Sequence, residues 1–193
     1  MVEKEEIRGQ IIDTARKIFS KYGFRKTTME EIAQGIGKGK SSIYYYYPGK
    51  EEIYKAVIEK EAELLRDSIL KAISKIDDPI EKFRVYVTVR MKTLRDMVNF
   101  YEAIKSELLS NLDFINKARE KYDKDEIEML EGFLREGVKQ NLFKIEETNL
   151  TAIAIVTAMK GLEVPLFKNS YFKNYEVHIN HLIEVIFYGI VKR

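Results

Sequence analysis

The chain has 193 residues, of which 45% are hydrophobic and 33% are charged, a balance typical of a globular protein with one or two domains. It contains no Cys, which excludes disulfide bonds and thiolate chemistry. Its first ten residues lack the apolar segment of a signal peptide, and no apolar run reaches the roughly 18 residues of a membrane span. We therefore expect a cytoplasmic protein.

The spacing of apolar residues predicts an all-α fold. The chain has only 3 Pro and 10 Gly, and no stretch alternates with the period of two that marks a strand. We predict about nine helices, at residues 5–22, 28–34, 40–47, 50–76, 79–97, 98–111, 114–141, 149–164 and 174–191. Thr148 or Asn149 is expected to cap the eighth helix, and Pro165 is expected to lie just beyond its end.

The basic residues are concentrated near the N-terminus. Residues 1–50 hold 10 Lys and Arg against 6 Asp and Glu, a net charge of +4, whereas residues 51–193 hold 23 against 25, a net charge of −2. This excess points weakly to a polyanionic partner, with chance scatter of surface charge as the alternative.

Residues 27–50, TTMEEIAQGIGKGKSSIYYYYPGK, carry the strongest functional signal. Thr28 followed three residues later by Glu31 is a capping-box pattern, which predicts the start of a helix. The glycines at 35, 37 and 39 permit a tight turn, and a second short helix follows. This order of elements predicts a helix-turn-helix.

The second helix of this motif has two distinct faces. Ile43 and Tyr47 are four residues apart and fall on the inward face, and the other residues form a hydroxyl-rich outer face. A recognition helix in the major groove must offer polar groups to base edges and cations or donors to phosphates. We predict that Lys40, Ser41, Ser42 and Tyr45 contact bases, that Thr28, Lys38, Tyr44, Tyr46 and Lys50 contact phosphates, and that Gly39 also lies in the interface. The alternative is three packed helices with the tyrosines in a core.

In these residues the chain resembles the TetR family of bacterial transcriptional regulators. The family pattern, roughly T-x-x-x-I-A-x-x-x-G-x-x-x-x-x-[LI]-Y-x-[YH]-F-x-x-K-x-x-[LI], is matched by Thr28, Ile32, Ala33, Gly37, Ile43, Tyr44, Tyr46, Tyr47, Lys50 and Ile53. The preceding residues, ARKIFSKYGFRKTT, resemble that family's first helix and entry turn. The close resemblance covers about residues 8–58, and over the remainder only the number, length and order of helices agree.

Two positions depart from the family pattern. Gly39 stands where a Ser or Thr usually caps the recognition helix, so we expect a weaker cap. Tyr47 replaces the usual Phe at an inward site, where its hydroxyl needs a partner. Neither departure undermines the fold, and both leave the base preference open.

The resemblance implies a ligand-responsive regulator, most often a repressor, with two domains. Residues 1–48 would bind DNA, and residues 49–193 would bind an effector and form a homodimer through the last two helices, with residues 49–76 as a connecting helix. The apolar turns at residues 182–191 independently favour self-association. A dimer would place two recognition helices on a near-palindromic operator, about 34–36 Å apart or slightly more.

The effector chemistry depends mainly on Arg90. This residue falls on the apolar stripe of its helix, and a buried guanidinium needs a partner, either an internal carboxylate such as Glu163 or the anionic group of an effector. Aromatic and soft residues nearby suit an apolar pocket, although residues at this spacing are more often plain core. The candidate effector-binding residues are Tyr86, Arg90, Tyr101, Phe133, Met159, Glu163 and Phe167. A fatty acid or acyl thioester and a planar drug-like compound are the two candidate effector classes.

The sequence predicts neither a catalytic nor a metal centre. His178 and His181 are the only histidines, and the polar rim of an interface is a better assignment for them than a metal site. No nucleophile motif or dinucleotide-binding motif is present, and GIGKGKSS follows a helix with the wrong spacing for a phosphate-binding loop. We expect no enzyme and no cofactor. The alternative function is an architectural DNA-binding protein without an effector.

Overall fold

A computed structural model of the chain describes residues 2–97, 113–168 and 175–190. Regular structure in these ranges is helical, as predicted, and the helix predicted at residues 98–111 lies outside them. The helices are α1 (Val2–Tyr22), α2 (Met29–Gly35), α3 (Lys40–Tyr46), α4 (Lys50–Ile73), α5 (Pro79–Asp96), α6 (Asp113–Lys139), α7 (Thr148–Lys168) and α8 (Tyr175–Ile190). None of these helices, over the residues described, is long and apolar enough to span a membrane.

Two predicted helix ends at prolines differ in the structure. Helix α3 ends one residue early, because Tyr47 precedes Pro48 and takes an extended backbone with φ −138° and ψ 123°. Helix α7 continues through Pro165 to Lys168, so the expected stop before this proline is wrong. The helix can contain this proline because a proline removes only one backbone donor and because only one helical turn follows Pro165.

The predicted cap of α7 is also wrong. The helix already begins at Thr148, and the carbonyl of Glu147 accepts the N–H of Thr151 at 3.0 Å. The side chains of Thr148 and Asn149 donate to the carboxylate of Glu131 instead, at 3.3 and 3.1 Å. These side chains therefore join α7 to α6 rather than capping their own helix.

The chain divides into two compact units, and the division falls between Glu63 and Leu64, inside α4. Among the described residues, the first unit holds 2–63, 97 and 113–118, and the second holds 64–96, 119–168 and 175–190. The first unit therefore extends past residue 48 and includes the first half of α4.

The core of the first unit forms where α1, α2, α3 and the start of α4 meet. Its fully buried side chains include Ile11, Ala15, Ile32, Ala33, Ile43, Ile53, Val57 and Ile58. Phe19, Phe24 and Tyr54 form an aromatic cluster with ring centroids 4.6–5.8 Å apart. Burial of this apolar surface is the main force that holds the short helices α2 and α3 in place.

An ion pair also joins α1 to α4 in the first unit. Nε of Arg16 donates to Oε1 of Glu61 at 2.9 Å, and the Glu61 side chain is only 1% exposed. Because a buried carboxylate is costly without a partner, this pair ties α4 to the face of α1.

The core of the second unit is built from one buried stripe of each of its helices. The stripes comprise Leu65, Ile69 and Ile73 on α4, Phe83, Tyr86, Val87, Met91 and Leu94 on α5, Leu130 and Leu134 on α6, Ala152, Ile155, Val156 and Met159 on α7, and Ile179, Ile183 and Phe187 on α8. Phe83 and Phe187 meet edge to face with centroids 5.2 Å apart, which joins α5 to α8.

A close contact between a glycine and an aromatic ring follows the end of α6. Phe143 is 3% exposed, and a Cβ placed on Gly137 would lie 2.1 Å from its ring. The chain turns back through Asn141, which has a positive φ of 62°, and the N–H of Leu142 donates to the carbonyl of Gly137 at 2.9 Å. Because Gly137 has no side chain, the Phe143 ring can occupy this space.

Candidate nucleic-acid interface

The start of α2 has the predicted capping box. The N–H of Glu31 donates to Oγ1 of Thr28 at 3.2 Å, and the N–H of Thr28 donates to Oε2 of Glu31 at 2.7 Å. Two backbone donors at the helix start are thereby satisfied. Thr28 is exposed, and its contact with a phosphate stays a prediction.

The turn between α2 and α3 depends on one glycine. Gly37 has a φ of +66°, in the region that other residues rarely adopt. The N–H groups of Gly37 and Lys38 donate to the carbonyls of Gln34 and Ala33, at 3.0 and 2.9 Å. These bonds close the end of α2 and leave Lys38 exposed at the turn.

Helix α3 shows the two predicted faces. Ile43 is 0% exposed and Tyr47 is 5% exposed, whereas Tyr44 and Tyr45 are 46% and 69% exposed. Lys40 and Ser41 are exposed as well, and Ser42 and Tyr46 are half-buried. The cap at Gly39 has no side-chain hydrogen bond, as predicted. The assignment of these residues to bases and phosphates stays a prediction.

Arg8 is the partner that the Tyr47 hydroxyl requires. The guanidinium carbon of Arg8 lies 4.7 Å from the centroid of the Tyr47 ring. Burial raises the pKa of Tyr47, whereas the charge and hydrogen bond of Arg8 lower it, and Glu5 and Glu59 add to the rise. The hydroxyl therefore stays protonated inside the first unit. Sequence reasoning missed Arg8, although it identified the hydroxyl that needs a partner.

Lys50 forms internal hydrogen bonds at the position where the sequence predicts a phosphate contact. Its Nζ donates to the carbonyl oxygens of Phe24 and Thr27, both at 2.8 Å, and to that of Arg25 at 3.4 Å. The ammonium group also lies 4.5 Å from the centroid of the Phe24 ring. Because these contacts occupy all the donors of an ammonium group, Lys50 first serves to close the turn before α2.

A match to a known protein family falls in this same region. The family profile described as "Bacterial regulatory proteins, tetR family" matches residues 11–57, which include the whole helix-turn-helix and the first turns of α4. Over these residues the chain is similar to the TetR family. The profile covers most of the residues that pack into the core of the first unit.

One curated relative of this chain is a named regulator. It is the "Biofilm operon icaADBC HTH-type negative transcriptional regulator IcaR" of Staphylococcus epidermidis, 31% identical over 117 residues. The match covers 57% of this chain and 63% of IcaR, so it spans less than two thirds of the relative. The name of this relative describes a transcriptional regulator and not an enzyme.

Solved structures match nearly the whole chain. A transcriptional regulator from Cytophaga hutchinsonii is 27% identical with a TM-score of 0.80, covering 94% of this chain and 97% of that one. A regulator from Saccharomonospora viridis in complex with choline is 22% identical with a TM-score of 0.79, covering 98% and 100%. At this lower identity the second likeness concerns the fold alone.

Arg90, the predicted effector anchor, has a carboxylate partner. The side chain is 4% exposed, and its Nε and Nη2 donate to Oε1 and Oε2 of Glu126 at 2.6 and 3.4 Å. The hydroxyl of Tyr86 donates to the same Oε1 at 2.7 Å. The acid that pairs with Arg90 among the described residues is Glu126, on α6. The sequence proposed Glu163 for this role, and the side chain of Glu163 lies outside the described residues.

The other candidate effector residues are only partly described. Tyr86 and Met159 are fully buried, and the half-buried Phe133 ring meets Tyr86 edge to face with centroids 6.3 Å apart. Tyr101 and the side chain of Phe167 lie outside the described residues. Tyr86 and Arg90 thus converge on Glu126, which sequence reasoning did not name, and Phe133 packs against Tyr86.

The two histidines are exposed on α8. Nδ1 of His181 lies 3.9 Å from a carboxylate oxygen of Glu184, three residues further on. Within the described ranges, no group of three or more His, Cys, Asp or Glu side chains could hold a metal ion.

Proposed function

We propose that this chain is a ligand-responsive DNA-binding regulator, a repressor that a small effector releases from its operator. The observation that carries the proposal is the division of α3 into a buried face and an exposed face. Ile43 and Tyr47 fix the helix on the first unit, while Tyr44 and Tyr45 remain available to a partner. Such a helix, placed on a capped turn, suits the major groove.

The roles within the interface follow from chemistry and exposure. The exposed Lys40, Ser41 and Tyr45 suit base edges, and the exposed Lys38 and Tyr44 suit phosphates. The half-buried Ser42 and Tyr46 remain proposed contacts at the margin of the helix. Lys50 supports the interface by holding the turn before α2, and any phosphate contact would have to share its ammonium group.

Selection of duplexes from a random library with the full chain tests DNA binding. We expect Lys38→Ala and Tyr44→Phe to weaken binding to all selected duplexes, because phosphate contacts carry no sequence information. We expect Lys40→Ala and Ser41→Ala to change the preferred bases. Lys17→Ala, an exposed change on α1, is the control. If all four variants bind like the parent, α3 is not the recognition helix.

Exposed apolar residues on the last two helices support the proposed homodimer. On α7, Leu150 and Ile153 are 62% and 39% exposed, and on α8, Val177, Val185 and Tyr188 are 57–74% exposed. Apolar groups spaced at helical intervals on an outer face favour burial against another surface. A second copy would cover these residues and would place two α3 helices on one operator.

We propose that the effector is a small, largely apolar molecule bound among the helices of the second unit. The positive charge of Arg90 is already neutralised by the carboxylate of Glu126. An anionic effector would have to displace the Glu126 carboxylate, whereas a neutral or planar effector would leave the pair intact. Effector binding would lower DNA affinity by a coupling free energy of about 1–3 kcal/mol, through α4, which contributes residues to both units.

A panel of defined compounds tests the effector proposal. The panel contains saturated fatty acids, their acyl thioesters, planar hydrophobic drugs, and choline, which the Saccharomonospora viridis structure contains. We expect one of the apolar classes to raise the melting temperature of the chain and to release a selected duplex. Compounds that stabilise the chain without changing DNA affinity would contradict the regulatory role. If no member of the panel has either effect, the architectural alternative is favoured.

A further inference from the structure

We propose that Lys4 extends the DNA-binding surface beyond the helix-turn-helix and contacts a backbone phosphate beside the groove that α3 enters. This inference rests on the proposed function, in which α3 binds duplex DNA. It begins with one contact, because Nζ of Lys4 lies 5.0 Å from the centroid of the Tyr45 ring. Tyr45 is 69% exposed and lies on the outer face of α3. The first turns of α1 therefore lie beside the helix that would read DNA.

A second contact one turn later repeats this arrangement. The guanidinium of Arg8 lies over the Tyr47 ring at 4.7 Å, and positions 4 and 8 are about 40° apart around a helix. Lys4 and Arg8 thus share one face of α1, and that face follows α3 over two successive turns. The placement of Lys4 does not depend on a single flexible side chain.

The two cations of this face have different environments. Arg8 is half-buried and serves the Tyr47 hydroxyl, whereas Lys4 is exposed. A cation above an aromatic ring is attracted to the face of the ring. The ammonium N–H groups that point away from the ring can still donate hydrogen bonds to another partner. Among the side chains that the structure describes, no carboxylate oxygen lies within 4.0 Å of the Lys4 ammonium. Lys4 is therefore suited to an external anion.

The neighbouring acids limit the contact to one phosphate. Glu5 and Glu6 are exposed, and they lie about 100° and 200° further around α1 than Lys4. They would repel DNA if the whole start of α1 approached it. A single lysine on the face toward α3 can reach a phosphate at the edge of the groove, whereas the Glu5 carboxylate, which lies near Tyr47, opposes a wider contact.

The salt dependence of DNA binding by the full chain tests this inference. The probe is a duplex selected by the parent, and the variants are Lys4→Gln, Lys4→Arg and Lys17→Gln. Lys17 is an exposed lysine on the same helix, about 20 Å further along its axis, and controls for the loss of one charge. We expect Lys4→Gln to reduce the slope of log K against log salt by about 0.9 per bound chain and to weaken binding about fivefold at about 0.15 M salt.

The variants separate a phosphate contact from a structural role. Lys4→Arg should retain the parent slope, and so should Lys17→Gln. The melting temperature should not fall in Lys4→Gln, because a cation near a helix N-terminus is unfavourable. If Lys4→Gln changes affinity or base preference but leaves the slope unchanged, Lys4 only orients Tyr45 and the inference is wrong. If the parent binds no duplex, the proposed function fails and this inference fails with it.

Discussion

Arg90 and Glu126 form a buried ion pair between α5 and α6, with Nε 2.6 Å from Oε1. The two residues are 36 positions apart in the sequence. A buried guanidinium on a core-facing stripe is thus balanced within the protein itself. The pair also accounts for the hydroxyl of Tyr86, which donates to the same carboxylate oxygen.

The first prediction concerns the stability of this pair. We expect Arg90→Met to lower the free energy of unfolding by about 3 kcal/mol, because it leaves the Glu126 carboxylate without its cation in a largely buried position. The double change Arg90→Met with Glu126→Gln should recover much of this loss, since a neutral amide still accepts the Tyr86 hydrogen bond. Urea unfolding of the single and the double variant measures both free energies of unfolding. A single variant as stable as the parent would contradict the structural role.

The second prediction concerns Lys50. We expect Lys50→Met to lower the free energy of unfolding by about 2 kcal/mol, because the carbonyls of Phe24 and Thr27 lose a charged donor. Lys55→Met, an exposed change on the same helix, should have little effect. Amide hydrogen exchange should locate the loss of protection in the turn and in α2. If only DNA binding falls while stability and exchange stay unchanged, Lys50 acts mainly on phosphate.

The third prediction compares two glycines of α6. We expect Gly137→Ala to destabilise the chain by about 1–3 kcal/mol, because its new Cβ would overlap the Phe143 ring. Gly132→Ala should instead stabilise it by about 0.5–1 kcal/mol, since nothing lies within 4 Å of the added methyl and alanine favours the helix. Denaturant midpoints of the two variants give the comparison. Equal effects of the same sign would contradict the packing of Phe143 on Gly137.

The fourth prediction concerns pH. The hydrogen bond from Asn149 and the hydrogen bond and charge of Arg135 hold the pKa of Glu131 below its usual value of 4.5, with a smaller contribution from Thr148. The folded chain therefore binds this proton more weakly than the unfolded chain. Its stabilising contribution is complete above pH 4.5 and is lost as the pH falls through the lowered pKa.

Melting temperatures of the parent and Glu131→Gln across acidic and neutral pH measure this contribution. The difference between them should be largest near neutral pH and should shrink below about pH 4.5. Glu128→Gln removes an exposed carboxylate from the same helix and controls for net charge. A difference that grows as the pH falls would have the wrong sign for a stabilising carboxylate.

The fifth prediction concerns self-association. We expect Val185→Asp and Leu150→Asp to shift the chain toward monomers, because each places a charge in the proposed interface. Leu70→Asp is the matched control, since Leu70 is a 39% exposed apolar residue on α4. Sedimentation analysis of the three variants gives the oligomeric state. A dimer that persists in both interface variants would locate the contact elsewhere.

The features that were best predicted from the sequence are those that depend on residues close together in the chain. The capping box of Thr28 and Glu31, the turn at Gly37 and the inward position of Ile43 all follow from local spacing and backbone geometry. Patterns of this kind can be recognised because the interacting atoms are only three to five residues apart.

Contacts between distant residues were harder to predict. Periodicity placed Arg90 in the core, but it does not say which face of α6 lies opposite, so Glu126 was missed. The carbonyls that bind Lys50 lie in an irregular turn, where side-chain patterns carry no information. Lys4 precedes the family pattern, and only its position in space connects it with Tyr45.

The internal bonds of Lys50 and Glu61 bear on how this protein can be recombined with others. A fragment that stops before α4 would lack the ammonium group that closes the turn before α2 and the carboxylate that binds Arg16. A chimera that transfers only the helix-turn-helix to a foreign sensor would therefore carry an incomplete module. The first unit holds residues through Glu63 together with 97 and 113–118 among those described, so a transferred fragment must reach at least to the middle of α4.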